Sequence, residues 1–389
     1  MSVTPLMWKS LDKFEILFRF MYTNPMEYQP SCRAFKFNPL STKMIPYVLS
    51  VIIVIATFFI PCLILLSCKL FGSISFPLPN TMLLIVLLNM SGITCLGDIF
   101  LSKFGGRPIS LINFLIKLDM KLGKSGHSNH SLDVTGVVLN VISIAFGLYI
   151  PYFFTIFLIH TGMDPLSQFK QFITPDIPRL SNIFTIIRPI STVISFLQIF
   201  RFFSIIFCGV CIGVNLLLCN ISWMEGNSHK FWVKSYSRVI LHNHACLQIM
   251  YQSAAVGLNT MMAIMMFAGL LLNVPFNYVT LKMYNHIPLR LYLVFPSVSI
   301  LIPTVIQLMM PLLVNVYEAE VVLHLKLRRA LWLSRDLKEL WRRLKGTKAL
   351  GVDAGVGQTI FYSLRRNTKA TYGWTIVNYT VSALLSENG

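Results

Sequence analysis

The stretch TYGWTIVNYTVSALL, Thr371 to Leu385, places polar residues at helical spacing inside an apolar segment. Successive members of one series are separated by four, three, four and three residues, a spacing that puts them on one face of an α-helix. The series, which we call the stripe, consists of Thr371, Thr375, Asn378, Ser382 and Leu385. We therefore predict a C-terminal helix with one largely polar face.

The composition around this helix is that of a membrane protein. Of 389 residues, 55% are hydrophobic and 12% are charged, whereas about a quarter of the residues of a soluble domain are charged. The mean hydropathy is +0.66. The first twenty residues contain charges where a secretory signal peptide needs an unbroken apolar run, so we expect no cleaved signal.

Seven segments are candidates for membrane helices, which need about 20 mostly apolar residues. They cover residues 44–66, 81–101, 134–158, 183–221, 253–276, 291–316 and 371–385. The fourth is too long for one crossing, and we expect its apolar core at 202–221. The seventh is short, so we expect its helix to begin further back, near residue 356, after the glycine-rich GVDAGVG.

The distribution of Lys and Arg predicts the orientation. Twenty-six lie in the N-terminal segment and in the loops after the second, fourth and sixth predicted spans, against five in the alternate loops. Because cytoplasmic loops carry the excess, we predict a cytoplasmic N-terminus and an extracellular C-terminus. This orientation disfavours a G-protein-coupled receptor. It also accounts for most of the net charge of +18, so we expect anionic membrane lipids and no nucleic acid as partners.

Two interpretations of the stripe remain open from the residues alone. Polar groups that face lipid are costly, so the stripe must face protein or water. In the first interpretation it packs against other helices, with Thr and Ser bonded to their own backbone. In the second it lines a pore, which a single seven-helix chain does not offer but a closed ring of identical chains does.

The same stretch resembles the C-terminal motif of insect gustatory receptors, which is Thr-Tyr, five hydrophobic residues and Gln-Phe. Here it reads Thr371-Tyr372, GWTIV and Asn378-Tyr379. The upstream KALGVDAGVGQTIFYSLRRNTKA also looks like that family's approach to its last helix. Asn378 is one methylene shorter than Gln, and Tyr379 adds a hydroxyl to Phe. The chain therefore resembles a divergent member of the family.

The resemblance implies an all-α, multi-pass plasma-membrane protein with seven transmembrane helices, acting as a non-selective cation channel opened by a small, tastant-like organic ligand. It implies a homotetramer, or a heterotetramer with related subunits, in which the stripe residues of the last helix line the pore. The implied parts are a cytoplasmic N-terminal segment (1–43), a six-helix ligand-binding bundle (44–316), a cytoplasmic anchor helix and linker (317–355), and a pore helix with a short extracellular tail (356–389). The amphipathic pattern of the anchor also suits a helix lying on the membrane surface.

The predicted outer halves of the bundle contain aromatic side chains and a few polar groups, which is typical of small-molecule pockets. The candidate ligand-binding residues are Tyr149, Tyr152, Phe153, Arg188, Ser191 and Phe295. Each aromatic residue could equally serve packing, and Arg188 needs a buried partner or access to the outer interface. No carboxylate lies in these outer halves, which favours an apolar or weakly polar ligand over a sugar.

We predict no enzyme, no cofactor and no metal site. The histidine pairs His127/His130 and His242/His244 lie in predicted basic loops, without carboxylates at ligand spacing. The sequence shows neither a phosphate-binding loop nor a serine nucleophile motif. The alternatives to a channel are a secondary transporter, which would normally show internal repeats, and an inverted seven-helix receptor without channel activity.

Overall fold

The computed structural model describes residues 3–122, 133–173, 178–231, 233–285, 292–332, 337–347, 349–357 and 359–385. His127, His130 and the predicted tail from residue 386 onward lie outside the described residues. So do residues 333–336 of the predicted anchor.

The N-terminal segment forms a helix and a hairpin that pack against the bundle. Helix α1 (Pro5–Phe18) begins at Thr4, whose side chain accepts a hydrogen bond from the backbone N–H of Met7, and it buries Leu11 and Phe14. Strands β1 (Met26–Gln29) and β2 (Ala34–Phe37) pair antiparallel. This N-terminal segment contributes to the hydrophobic core.

The rest of the chain is mainly helical. In chain order the helices are α2 (Ile45–Val54), α3 (Ile60–Leu70), α4 (Leu78–Phe104), α5 (Gly106–Leu122), α6 (Val134–Ile144), α7 (Ile150–Thr161), α8 (Pro165–Ile173), α9 (Pro178–Gly226), α10 (Lys234–Lys282), α11 (Val294–Leu331), α12 (Leu337–Gly346) and α13 (Arg366–Leu385).

Two π-helical turns join neighbouring helices into continuous rods. Ile55–Phe59 connects α2 to α3, and Ala145–Tyr149 connects α6 to α7. Each turn is followed by an Ile-Pro pair that contains Pro61 or Pro151. Proline has no backbone N–H and its ring clashes with the carbonyl one turn earlier, so a widened turn lets the helix continue past it.

Six described helical rods are long and apolar enough to cross a membrane. They are Thr42–Leu70, Leu78–Phe104, Val134–Phe172, Ile186–Gly226, Ser235–Lys282 and Phe295–Leu331. Each contains one of the first six predicted segments or, for the fourth and sixth, most of it. Helix α13, the predicted seventh, is 20 residues long but falls outside this set, because its basic and polar residues lower its mean hydropathy.

The structure corrects two boundaries. The basic stretch predicted as a loop before residue 253 is the first part of α10, which begins at Lys234. The signal for helix is a buried face at steps of four, three, four and three residues: Ile240, His244, Leu247, Tyr251 and Ala254.

The second correction concerns the start of the last helix, which was predicted near residue 356. Strand β3 (Asp353–Val356) instead pairs antiparallel with β4 (Thr359–Ser363), and Gly357 adopts a φ of 63° in the turn between them. Glycine adopts this left-handed backbone at little cost. Helix α13 therefore begins after the hairpin, at Arg366.

Helix α9 is the centre of the bundle. It packs against α1, α2, α4, α5, α7 and α11. In the most apolar stretch of α9, 78% of the residues are buried inside the chain. The corresponding share is only 33% for α10 and 22% for α11. Helices α10 and α11 therefore keep large apolar faces free of contact with the chain itself.

We expect Gly97→Leu to lower the thermal stability of the purified protein. Helices α4 and α9 approach so closely at Gly97 that a Cβ atom there would overlap the ring of Phe202, which is buried. Forcing a larger side chain into a filled core costs about 1–3 kcal/mol. Gly226→Ala is the matched control, since no atom lies within 4 Å of a Cβ at that position. Equal melting temperatures in detergent for both variants would contradict the observed packing.

Candidate functional site

One face of α13 is fixed to the bundle. The Tyr372 hydroxyl donates a hydrogen bond to the backbone carbonyl of Met266 on α10, at 2.7 Å. Ile376 and Thr380 follow on the same face and are buried. Asn277 Nδ2 of α10 lies 3.4 Å from the Thr380 hydroxyl. Helix α13 is therefore packed against α10 along its length, with additional contacts to α11.

The stripe lies on the opposite face of α13. Its members Thr371, Asn378, Ser382 and Leu385 are exposed, and Thr375 is partly exposed. The Thr371 and Thr375 hydroxyls donate to carbonyls one turn earlier in the same helix, at 3.1 and 2.8 Å. The polar face thus points away from the chain's own bundle.

Large apolar side chains border the stripe. Trp374 is 70% exposed, and Val377, Tyr379 and Val381 are also exposed. Of the two motif tyrosines, Tyr372 therefore faces the bundle, whereas Tyr379 faces outward. The outward side of α13 combines a polar centre with apolar flanks, an arrangement suited to water along the centre and to protein or lipid at the sides.

The structure does not bring the six candidate ligand-binding residues together. Tyr149, Tyr152 and Phe153 are exposed on the outer surface of their rod. Phe295 is buried, and its ring packs 5.8 Å from that of Phe276. The Ser191 hydroxyl donates to the Arg188 carbonyl at 3.1 Å. Ligand binding by these residues stays a prediction.

Arg188 has a carboxylate partner that sequence reasoning missed. Its Nε lies 2.8 Å from both carboxylate oxygens of Asp164, and its Nη2 contacts Oδ1 as well. Asp164 follows Gly162, where α7 ends in a left-handed turn, and it accepts a hydrogen bond from the Ser167 N–H at the start of α8. The residue lies just beyond the predicted third span, so the predicted outer half of that span excluded it.

A second polar cluster lies inside the bundle. Gln198 Nε2 on α9 donates to Asp98 Oδ2 on α4 at 2.7 Å, and the Tyr22 hydroxyl donates to Gln198 Oε1 at 2.8 Å. The Arg201 guanidinium lies 5.5 Å from the centre of the Tyr22 ring. Burial raises the pKa of Tyr22 to about 12, so its hydroxyl remains a donor at neutral pH. These contacts fix α9 to α4 and to the N-terminal segment.

An apolar cavity of about 280 Å³ lies between α4, α5, α7, α9, α10 and α11. Aromatic, aliphatic and methionine side chains line it, among them Phe154, Phe200, Met261, Met265 and Val298. Tyr372 of α13 also forms part of the wall. Tyr372 therefore lines the cavity, while the stripe lies on the opposite face of the same helix.

No protein-family model matches the sequence, and no curated protein matches it either. Among solved structures, the chain is similar to the insect olfactory receptor OR5 from Machilis hrabei. The complex of that receptor with eugenol shares 12% identity, with a TM-score of 0.63 over 98% of this chain and 97% of that chain. A second structure shares 14% identity, with a TM-score of 0.61 over 97% and 96%. At these identities the likeness establishes the fold, and it extends over nearly the whole chain.

We expect Arg188→Ala to destabilise the protein by about 3 kcal/mol, because it leaves the buried Asp164 carboxylate without its cation. The Asp164 side chain is 1% exposed. Lys326→Ala is the matched control, since its ion pair with Glu225 is largely exposed and such pairs contribute at most about 1 kcal/mol. Thermal unfolding in detergent measures both. A melting temperature for Arg188→Ala that equals the wild-type value would show that the ion pair does not support the fold.

Proposed function

We propose that this chain is a subunit of a ligand-gated cation channel of the insect odorant and gustatory receptor superfamily. The observation that carries the proposal is the direction of the stripe, which faces away from the bundle on a helix whose other face is packed. The fold shared with an insect olfactory receptor supports it. The proposed protein is a chemoreceptor of the plasma membrane and not an enzyme.

The exposed polar face favours the pore interpretation of the stripe over the packing interpretation. If the stripe packed within the chain, its side chains would be buried, yet Asn378 and Ser382 are exposed. A closed ring of chains would gather several stripes around one axis. We propose a tetramer of identical or related subunits, in which four Asn378 amides surround the ion path and hydrate passing cations. Trp374 and Val381 would then contact neighbouring subunits.

The proposed orientation places the N-terminus in the cytoplasm and makes α13 the seventh crossing. The excess of Lys and Arg on alternate sides supports it. The mean hydropathy of α13 is lower than that of the six long helices, as expected of a helix with one face toward water instead of lipid.

The proposed ligand is a small organic molecule with a mainly apolar surface. The cavity of about 280 Å³ is just below the range of roughly 300–1,000 Å³ typical of small-molecule sites. Eugenol, which the structurally similar receptor binds, is a reasonable first probe for this chain. Because Tyr372 lines the cavity and belongs to α13, a ligand bound in the cavity would contact the proposed pore helix directly.

We expect Ser382→Cys to become reactive toward a membrane-impermeant thiol reagent applied from outside, with block of the ligand-evoked current. Thr380→Cys is the matched control, because Thr380 is two residues away but buried against α10. Whole-cell recording before and after the reagent measures both variants against the wild type. Block at position 380 and none at position 382, in channels that conduct, would place the pore on the other face of α13. Saturable substrate uptake without current would favour the transporter.

We expect Tyr372→Phe to shift the ligand concentration for half-maximal current while leaving assembly unchanged. The substitution keeps the ring in the cavity wall and removes only the hydrogen bond to Met266. Tyr379→Phe is the control, since it removes an exposed hydroxyl from the same helix. A dose–response curve and a gel-filtration profile test each variant. Identical dose–response curves for Tyr372→Phe and the wild type would argue against coupling through this residue.

A further inference from the structure

Three buried side chains with metal-ligating atoms meet between α10 and α11. His244 comes from α10, and Glu320 and His324 come from α11. Their relative exposures are 1%, 0% and 9%, and one ligating atom from each lies within 4.8 Å of the others. The cluster is distant in sequence from the stripe, and none of the three residues lines the apolar cavity.

The ligating atoms converge on one point. The Nε2 of His244 contacts Oε1 of Glu320, and the Nε2 of His324 lies 3.4 Å from the same oxygen. The two imidazole rings are nearly perpendicular, at 80°, with centroids 5.3 Å apart. Glu320 and His324 are four residues apart, so the helix brings them onto one face. His244 reaches them from the neighbouring helix.

Hydrogen bonds within the chain leave this cluster incompletely satisfied. Oε2 of Glu320 is buried and has no hydrogen-bond partner. Nε2 of His324 is also buried, and its 3.4 Å contact with Oε1 does not have the geometry of a hydrogen bond. An unsatisfied oxygen on a fully buried carboxylate is costly. A cation placed among the three side chains would use the lone pairs that now lack partners.

We propose that His244, Glu320 and His324 bind a divalent transition-metal ion, with Zn²⁺ as the best match. Two imidazole nitrogens and one carboxylate suit Zn²⁺, which takes nitrogen and oxygen ligands in tetrahedral geometry. Ca²⁺ and Mg²⁺ prefer sites made of oxygen ligands alone. The fourth ligand is water that enters past His324, the most exposed of the three residues.

The bound ion would cross-link α10 and α11, which already pack against each other. The site joins the two helices in the part of α11 that was predicted as the start of the anchor, residues 317–355. The sequence pattern alone does not indicate this site, because no carboxylate lies at ligand spacing from His242 or His244 along the chain. The carboxylate comes from another helix, 76 residues away.

The test is metal retention by the full-length protein purified in detergent. After treatment with a chelator and reloading with Zn²⁺, the wild type is expected to keep roughly one ion per chain through gel filtration. His324→Ala and Glu320→Gln are each expected to lower the affinity for Zn²⁺ at least about tenfold. His242→Ala is the matched control, because His242 is exposed on α10 two residues from His244, and it should bind like the wild type. Mass spectrometry of the metal gives the stoichiometry.

The visible absorption spectrum of Co²⁺ bound to the wild type gives a second readout, which does not depend on whether any variant folds. Binding by nitrogen and oxygen ligands predicts visible d–d bands without thiolate charge transfer. A thiolate band would place the ion at a cysteine, for example Cys246, whose sulfur lies 3.7 Å from His242. That result would overturn the proposal. So would equal zinc retention by His324→Ala and the wild type, or no retention by the wild type, which would leave the cluster as a hydrogen-bonded His–Glu–His group.

Discussion

A polar side chain that lies among membrane-spanning helices must bond to protein or reach water, and this constraint organises the molecule. Inside the bundle the constraint is met by pairing: Arg188 with Asp164, and Gln198 with Asp98. Hydroxyl groups return to their own helices, as Thr94 does to the Met90 carbonyl. The stripe meets the constraint differently, because its side chains face away from the chain. In the proposed tetramer, water along the shared axis would satisfy them, whereas lipid around a lone chain would not.

The helices differ in how much of their surface is buried inside the chain. Helix α9 is enclosed on most sides and forms a fixed centre, to which the Asp98 and Tyr22 contacts attach α4 and the N-terminal segment. Helices α10 and α11 leave apolar faces uncovered, and α13 covers part of α10. In the proposed tetramer, neighbouring subunits and lipid would cover these apolar faces.

Patterns local to the sequence were sufficient to predict much of this architecture. Runs of apolar residues located the six long helices, because the length of a crossing is set by the bilayer. A series at helical spacing predicted that the stripe shares one face. The start of α13 was missed because Gly357 and its neighbours form a hairpin through pairing that hydropathy does not reveal. Contacts such as Arg188–Asp164 and His244–Glu320 were missed for a related reason: each joins helices whose relative placement depends on packing.

Tyr372 links the apolar cavity mechanically to the stripe of α13 in the proposed channel. Its ring forms part of the cavity wall and its hydroxyl bonds to α10, while the stripe occupies the far side of the same helix. Gly269 permits this approach, since a Cβ there would lie 2.6 Å from the Tyr372 hydroxyl. A helix is stiff over a few turns, because each backbone N–H is bonded one turn back. In the proposed channel, a ligand that displaces Tyr372 would therefore move Asn378 and Ser382 together, without a separate relay between the cavity and the proposed ion path.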